Sequence, residues 1–228
     1  LILLFACARM GCVLMPLNWR LSGKEWAWML EDAAPRVLLT LHGYQTQAAE
    51  LGVPTYDLGA LIARGSADDR VPDTGRGGDD LLLVYTSGST GRPKGAVHSQ
   101  DAVWANAQFS AAMHDYNLGG RQDRVLTILP MFHVGGLAIQ TLSALLSGAQ
   151  VRVMTAFEPN QMAALHESFK PTLTLHVPAT LQAMLALQQY YKQAEQLQAF
   201  HLMALQIFLL THHTSPRIVA TFTTQMPE

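Results

Sequence analysis

The sequence predicts an α/β fold of mostly parallel sheets flanked by helices, and three observations carry that expectation. Short apolar runs of strand length alternate with longer segments whose apolar residues recur at helical spacing, the pattern of parallel strands joined by crossover helices. One such run, Leu81 to Val84, leads directly into a stretch rich in glycine and hydroxyl side chains. At 228 residues, 49% of them hydrophobic and only 14% charged against roughly 25% in an average domain, the chain can bury a large apolar core.

The elements follow in order. The opening segment LILLFACARMGCVLMPLNWRLS is too short for a membrane span, because Arg9 interrupts it and Pro16 ends it; a helix packed on a sheet accounts for it. It lacks the basic start and cleavage site of a secretory signal. Ser22 caps a helix through about Asp32, with Trp26, Met29 and Leu30 on one face. Val37 to Leu41 reads as a buried strand, Tyr44 to Leu51 as a helix and Thr55 to Leu58 as a short strand. From Ala63 to Asp80 the composition turns to Gly, Asp, Arg and Pro, that of an exposed connection. After the Leu81–Val84 strand and its loop, Ser99 caps a helix through about Met113. Val125 to Leu129 is a strand and Leu137 to Leu146 a helix ended by Gly148. Val151 to Met154, a helix at Pro159 to Phe169, and Leu173 to Val177 continue the alternation. No internal repeat is present.

A formal charge of −2 gives no electrostatic footprint for nucleic acid. Cys7 and Cys12 are five apart in an apolar stretch, off a common helical face, and read as buried free thiols of a reduced compartment. His212 and His213 have neither an HExxH pattern nor a cysteine beside them, so no metal site is expected there.

The chemistry concentrates in Tyr85 to Gly95, YTSGSTGRPKG, where five hydroxyl side chains and three glycines surround one lysine. Gly88, Gly91 and Gly95 lack a β-carbon, so backbone N–H groups can approach phosphate oxygens. The hydroxyls of Thr86, Ser87, Ser89 and Thr90 can donate to the same oxygens without adding charge. Lys94 supplies a mobile point charge that can follow a departing phosphate, and Pro93 restricts Arg92 before it. A Walker A loop is excluded on spacing: the fifth residue after Gly88 is Pro93, and Lys94 is followed by Gly95.

Position by position, Thr86 to Gly95 resembles the phosphate-binding signature [ST]-[SG]-G-[ST]-T-[GST]-x-P-K-G of the adenylate-forming, or AMP-binding, enzymes. Val125 to Leu137, VLTILPMFHVGGL, resembles that family's next motif, nearest to the acyl-CoA synthetase branch of fatty-acid, feruloyl and succinylbenzoate ligases. The resemblance implies the fold of the large N-terminal domain of acyl-CoA synthetases, here incomplete. It implies that Thr86, Ser87, Gly88, Ser89, Thr90, Gly91, Lys94 and Gly95 hold the phosphates of ATP, with Lys94 catalytic. It implies further that His133 lies beside the acyl carboxylate, catalytic in role, with Met131, Phe132, Val134 and Gly135 around the acid. Paired glycines after His133 let a helix start or a ligand approach. His176, Val177 and Pro178 border the pocket or simply end a strand.

The resemblance covers about Phe5 to Leu187, which makes 1–187 a partial AMP-binding domain, and then fades. The last glycine is Gly148, and the family's downstream adenine, ribose, Tyr-Gly-x-Thr-Glu and C-terminal lysine motifs find no match. Residues 188–228 are accordingly expected to be a truncated, divergent or frame-shifted tail. The activity implied is the cytoplasmic, ATP-dependent conversion of a fatty or aromatic carboxylic acid to acyl-AMP and then, with coenzyme A, to acyl-CoA, Mg²⁺ accompanying the nucleotide. The chain alone is expected to be inactive; the alternative from another class is a catalytically silent nucleotide-binding remnant.

Overall fold

The computed structural model describes residues 1–41, 43–65, 72–86, 92–193, 205–208 and 219–222. His212 and His213 lie outside them. The chain divides into two compact units, Leu1–Ala102 and Val103–Glu228.

In the first unit, α1 (Ile2–Met10) buries only Leu4 and ends at Gly11, whose φ of 63° closes the turn back onto Cys7. Cys12 is exposed and Cys7 half-buried, so the two thiols are free but are not the buried residues expected. Leu14 then lies parallel beside β3 (Asp80–Thr86), its N–H donating to Leu81 O at 2.8 Å and its carbonyl accepting from Leu83 N–H at 2.9 Å. α2 (Gly23–Ala33) starts at the predicted Ser22: its hydroxyl accepts from the Glu25 N–H while the Glu25 carboxylate accepts from the Ser22 N–H, a reciprocal capping box that holds the Glu25 carboxyl below its usual range. Met29 and Leu30 are buried as the spacing required, and half-buried Trp26 donates its indole N–H to Asn18 O at 2.9 Å.

β1 (Leu38–Thr40) and β2 (Thr55–Asp57) pair in parallel around α3 (Gln45–Ala49). The strand is shorter than Val37 to Leu41 because both of those end residues project into solvent, 49% and 62% exposed. The connection expected from Ala63 is preceded by α4 (Leu58–Arg64), whose cap is Asp57: its carboxylate accepts from the Ala60 N–H at 2.7 Å. β3 pairs antiparallel with β4 (Lys94–Ser99), a strand with no sequence forecast.

α5 (Gln100–His114) follows the predicted cap, the Ser99 hydroxyl accepting from the Ala102 N–H at 3.2 Å. The second unit is built on β5 (Arg124–Thr127) and β6 (Gln150–Val153), paired in parallel. Between them run a π-helix, Gly135–Leu142, and α6 (Ser143–Leu146), ended by Gly148 at φ 73°. α7 (Pro159–Ser168) begins on the Glu158 carboxylate, which accepts from the N–H groups of Asn160 and Gln161. α8 (Pro178–Gln193) continues past Leu187, and β7 (Leu205–Phe208) pairs antiparallel with β8 (Val219–Phe222). Leu126, Ile128, Leu129, Met154, Met162, Leu175 and Met184 form the main core of this unit.

The predicted strand Leu173 to Val177 is reduced to one parallel bridge between Leu173 and Val125. Leu173 bonds Arg124 O and accepts from the Leu126 N–H, so the next rung of a parallel ladder would bring the Leu175 N–H to Leu126 O. That carbonyl instead accepts from the Gln140 side-chain amide at 3.2 Å. A glutamine from the π-helix thus takes the place of the ladder.

Asp123 ties the entrance to β5. Its carboxylate accepts from the Asn117 N–H at 2.6 Å and the Thr172 hydroxyl at 2.8 Å, and its own N–H donates to Asn117 Oδ1 at 2.7 Å. The Asp123 side chain is almost fully buried, so Asp123→Ala removes the charged acceptor of both bonds and leaves a void at the entrance to β5. The expected loss is about 2–4 kcal/mol of unfolding free energy, read from denaturant titration.

Candidate functional site

Residues 87–93 connect β3 to β4, and the site is best built from their stem. Thr86 stands opposite Lys94 and Tyr85 opposite Gly95 in the antiparallel ladder. Opposed residues share a face and successive ones alternate, so Thr86 and Lys94 project from one face and Tyr85 and Gly95 from the other. Thr86 and Lys94 are exposed, and among the described residues the Lys94 ammonium is engaged by no hydrogen bond or ion pair. Ser87, Gly88, Ser89, Thr90 and Gly91 lie outside the described residues.

Two details differ from the expected loop. Lys94 and Gly95 are strand residues, because the ladder runs up to Thr86. Gly95 stands close to its own neighbours: a β-carbon there would meet Leu83 Cδ1 at 2.8 Å and Tyr85 Cζ at 3.3 Å, side-chain atoms that would have to shift. Tyr85, counted with the loop hydroxyls, turns inward. Its phenol donates to Asp32 Oδ2 at 2.6 Å and reaches Met29 O at 3.5 Å, and its ring meets Trp28 edge-on with centroids 5.9 Å apart. Burial, then the Asp32 carboxylate, push the phenol pKa well above its ordinary value, so the proton stays on Tyr85. The period of two puts Tyr85 on the half-buried face of Leu83, opposite to Thr86 and to the buried Leu82 and Val84, and so separates its phenol from the hydroxyl of Thr86.

In the second unit, His133 sits in the turn between β5 and the π-helix. Its N–H donates to Pro130 O at 3.1 Å and its carbonyl accepts from the Leu137 N–H at 3.1 Å. The Gly135 N–H donates to His133 Nδ1 at 3.2 Å, which leaves the hydrogen of the neutral ring on Nε2. The imidazole is exposed, Met131, Phe132 and Val134 are half-buried, and Gly135 is buried. Gly136 serves the chain's own backbone rather than a ligand: a β-carbon there would lie 2.5 Å from both Leu129 O and Pro130 O. Thr141, on the π-helix, bonds Thr127 hydroxyl to hydroxyl at 2.9 Å, which pins the helix to β5.

His176 is fully buried. The Thr180 hydroxyl donates to Val177 O at 2.9 Å, so its oxygen receives the His176 Nδ1–H at 3.1 Å and the Val177 N–H at 3.1 Å. Nε2 is then a buried lone pair without a partner among the described residues, as are Gln140 Oε1 and Thr174 Oγ1. Burial first, and neighbouring His166 second, hold the His176 pKa down at about 4.

Among the described residues no helix is long and apolar enough to cross a membrane, and no three His, Cys, Asp or Glu side chains are grouped to hold a metal ion. Comparison with known proteins places the fold. The chain is 40% identical to indoleacetate–CoA ligase of Aromatoleum aromaticum, over 80% of its own length and 38% of that protein. It is 36% identical to feruloyl-CoA synthase of an Amycolatopsis species, over 80% of its length and 37% of the relative. The structure superposes on o-succinylbenzoate coenzyme A synthetase of Bacillus subtilis, solved in complex with ATP and magnesium ion, with TM-score 0.71 and 26% identity over 90% of this chain and 41% of that one. The chain thus spans about two fifths of the length of the curated relatives it matches. The match to the AMP-binding enzyme family extends over residues 1–226, beyond Leu187, and the chain belongs to that family.

Proposed function

We propose that this chain is the N-terminal portion of a cytoplasmic acid–thiol ligase that activates a carboxylic acid with ATP and passes it to coenzyme A. The observation that carries the reading is the stem at 86–95, where an exposed lysine opens the strand leaving a glycine- and hydroxyl-rich connection and shares its face with Thr86. In the first step the substrate carboxylate attacks the α-phosphorus of ATP, the bond to the β-phosphate oxygen breaks, and pyrophosphate leaves. Donors that follow this developing charge lower the barrier. Thr86 to Gly91 and Gly95 would line the phosphates, and Lys94 would move with the leaving group. In the second step the coenzyme A thiolate attacks the acyl carbon and AMP departs. His133, with Nε2–H as its free donor, is suited to a carboxylate oxygen, and Met131, Phe132, Val134 and Gly135 would border the acid. Mg²⁺ would enter on the phosphate oxygens of the nucleotide with most of its waters. The described residues offer it no carboxylate cluster, so no step is assigned to it.

An aryl or arylacetic acid is favoured over a fatty acid by the names of the two relatives above. The partial domain 1–187 and a separate tail at 188–228 remain part of the proposal. The test is pyrophosphate exchange by the complete protein across indoleacetic, ferulic, succinylbenzoic and long-chain fatty acids. Exchange with an aryl acid is expected, and none with any acid would overturn the reading in favour of a silent nucleotide-binding remnant. The 228-residue chain alone is expected to exchange little or nothing.

A further inference from the structure

We propose that Asp32 and Tyr85 form a positioning pair for the phosphate-binding connection: through their hydrogen bond α2 fixes the strand stem from which Lys94 projects. The inference rests on the reading of residues 86–95 as a phosphate site.

What orients Lys94 must come from the strands on either side. β4 contributes little by itself, because Gly95 and Ala96 are exposed and Val97 is 53% exposed. Its first residues are held through β3: Lys94 by the ladder to Thr86, and Gly95 by the same ladder together with the Tyr85 and Leu83 side chains that lie over it. The direction of Lys94 is therefore set by where Tyr85 stands.

Tyr85 is fixed from three sides. The phenol donates to Asp32 Oδ2 at 2.6 Å, the ring meets Trp28 on the same helix, and its Cζ lies 3.3 Å from where a β-carbon of Gly95 would stand. Asp32 lies in the last turn of a helix closed at both ends, by the Ser22–Glu25 box and by the Ala34 N–H donating to Leu30 O at 2.9 Å. A hydrogen bond to a carboxylate is among the stronger side-chain bonds, which suits it to hold a stem in one orientation. The retained phenolic proton keeps donor and acceptor in these roles across the neutral pH range. Neither residue projects with Thr86 and Lys94, so neither touches the nucleotide. They act through the strand.

The complete protein tests this by steady-state kinetics with ATP and the carboxylic acid varied separately. Tyr85→Phe keeps the ring on Gly95 and Trp28 and removes only the hydroxyl; Asp32→Ala removes the acceptor. Each is expected to raise KM for ATP about tenfold, the equivalent of one hydrogen bond to a charged group, and to leave KM for the acid unchanged. A purely structural role would lower the active fraction, which reduces kcat and moves neither KM. The double variant should be no worse than either single one, because both delete the same bond. Asp32→Asn, which still offers a carbonyl acceptor, should stay within about twofold of the parent. Unchanged KM for ATP in both single variants, or effects that multiply in the double variant, would overturn the pair. Lys94→Ala in the same series separates the two ideas: if it too leaves ATP turnover and KM untouched, the phosphate site itself is wrong; if it alone impairs them, only the positioning pair is.

Discussion

Lys94→Ala is expected to reduce pyrophosphate exchange by the complete protein roughly a hundred- to a thousandfold, the scale of deleting one donor aimed at developing charge. Lys94 is exposed and engages no other described side chain through its ammonium, so its removal should move unfolding free energy by no more than about 0.5 kcal/mol. That combination, a large kinetic effect on an unchanged fold, distinguishes a residue that meets the nucleotide from one that supports the strand. Lys94→Arg sharpens the point. It preserves charge but replaces a compact ammonium on a flexible stem with a planar fork, so a site that needs a mobile point charge should recover only part of the rate. A protein that exchanges pyrophosphate at its parental rate with alanine at this position would remove the lysine from the mechanism and, with it, the reading of the loop.

Much of this molecule was legible because its signals are local. The Ser22 cap, Pro159 at the start of α7 and Gly148 after α6 announce helix ends within a few residues of chain, and all three stand where the pattern put them. The ten residues from Thr86 to Gly95 are equally local, and they carried the family. What escaped depends on contacts distant in sequence. The Tyr85 phenol looks like one more loop hydroxyl until Asp32, fifty-three residues away, accepts from it. β4 has no apolar alternation because neither face is well buried; it exists through its ladder to β3. The strand at Leu173 is cut short by Gln140, whose amide caps the carbonyl of Leu126. Of the two readings of the glycines after His133, a helix start or a ligand's approach, the structure shows a helix starting at Gly135, and Gly136 makes room for the carbonyls of Leu129 and Pro130.

A second large effect on stability comes from His176 and is a matter of pH. Its folded pKa, about 4, lies below the ordinary value of 6.5 because a buried imidazole with an unpartnered Nε2 resists charge. Protonation therefore favours the unfolded chain. The stabilising contribution is complete above the unfolded pKa, shrinks as pH falls from 6.5 and is lost once pH passes below 4. The full difference is about 3 kcal/mol, of which about 2 kcal/mol is gone by pH 5. His176→Asn isolates it, since asparagine can still donate to the Thr180 oxygen but takes up no proton in this range. Denaturant titrations of both proteins at pH 7.5 and pH 5 should show the parent losing about 2 kcal/mol more than the variant, with the contributions of the distant carboxylates cancelling in the comparison. Equal losses would mean that His176 finds a proton acceptor on acidification, and that the bare nitrogen in the core of the second unit is already satisfied in solution.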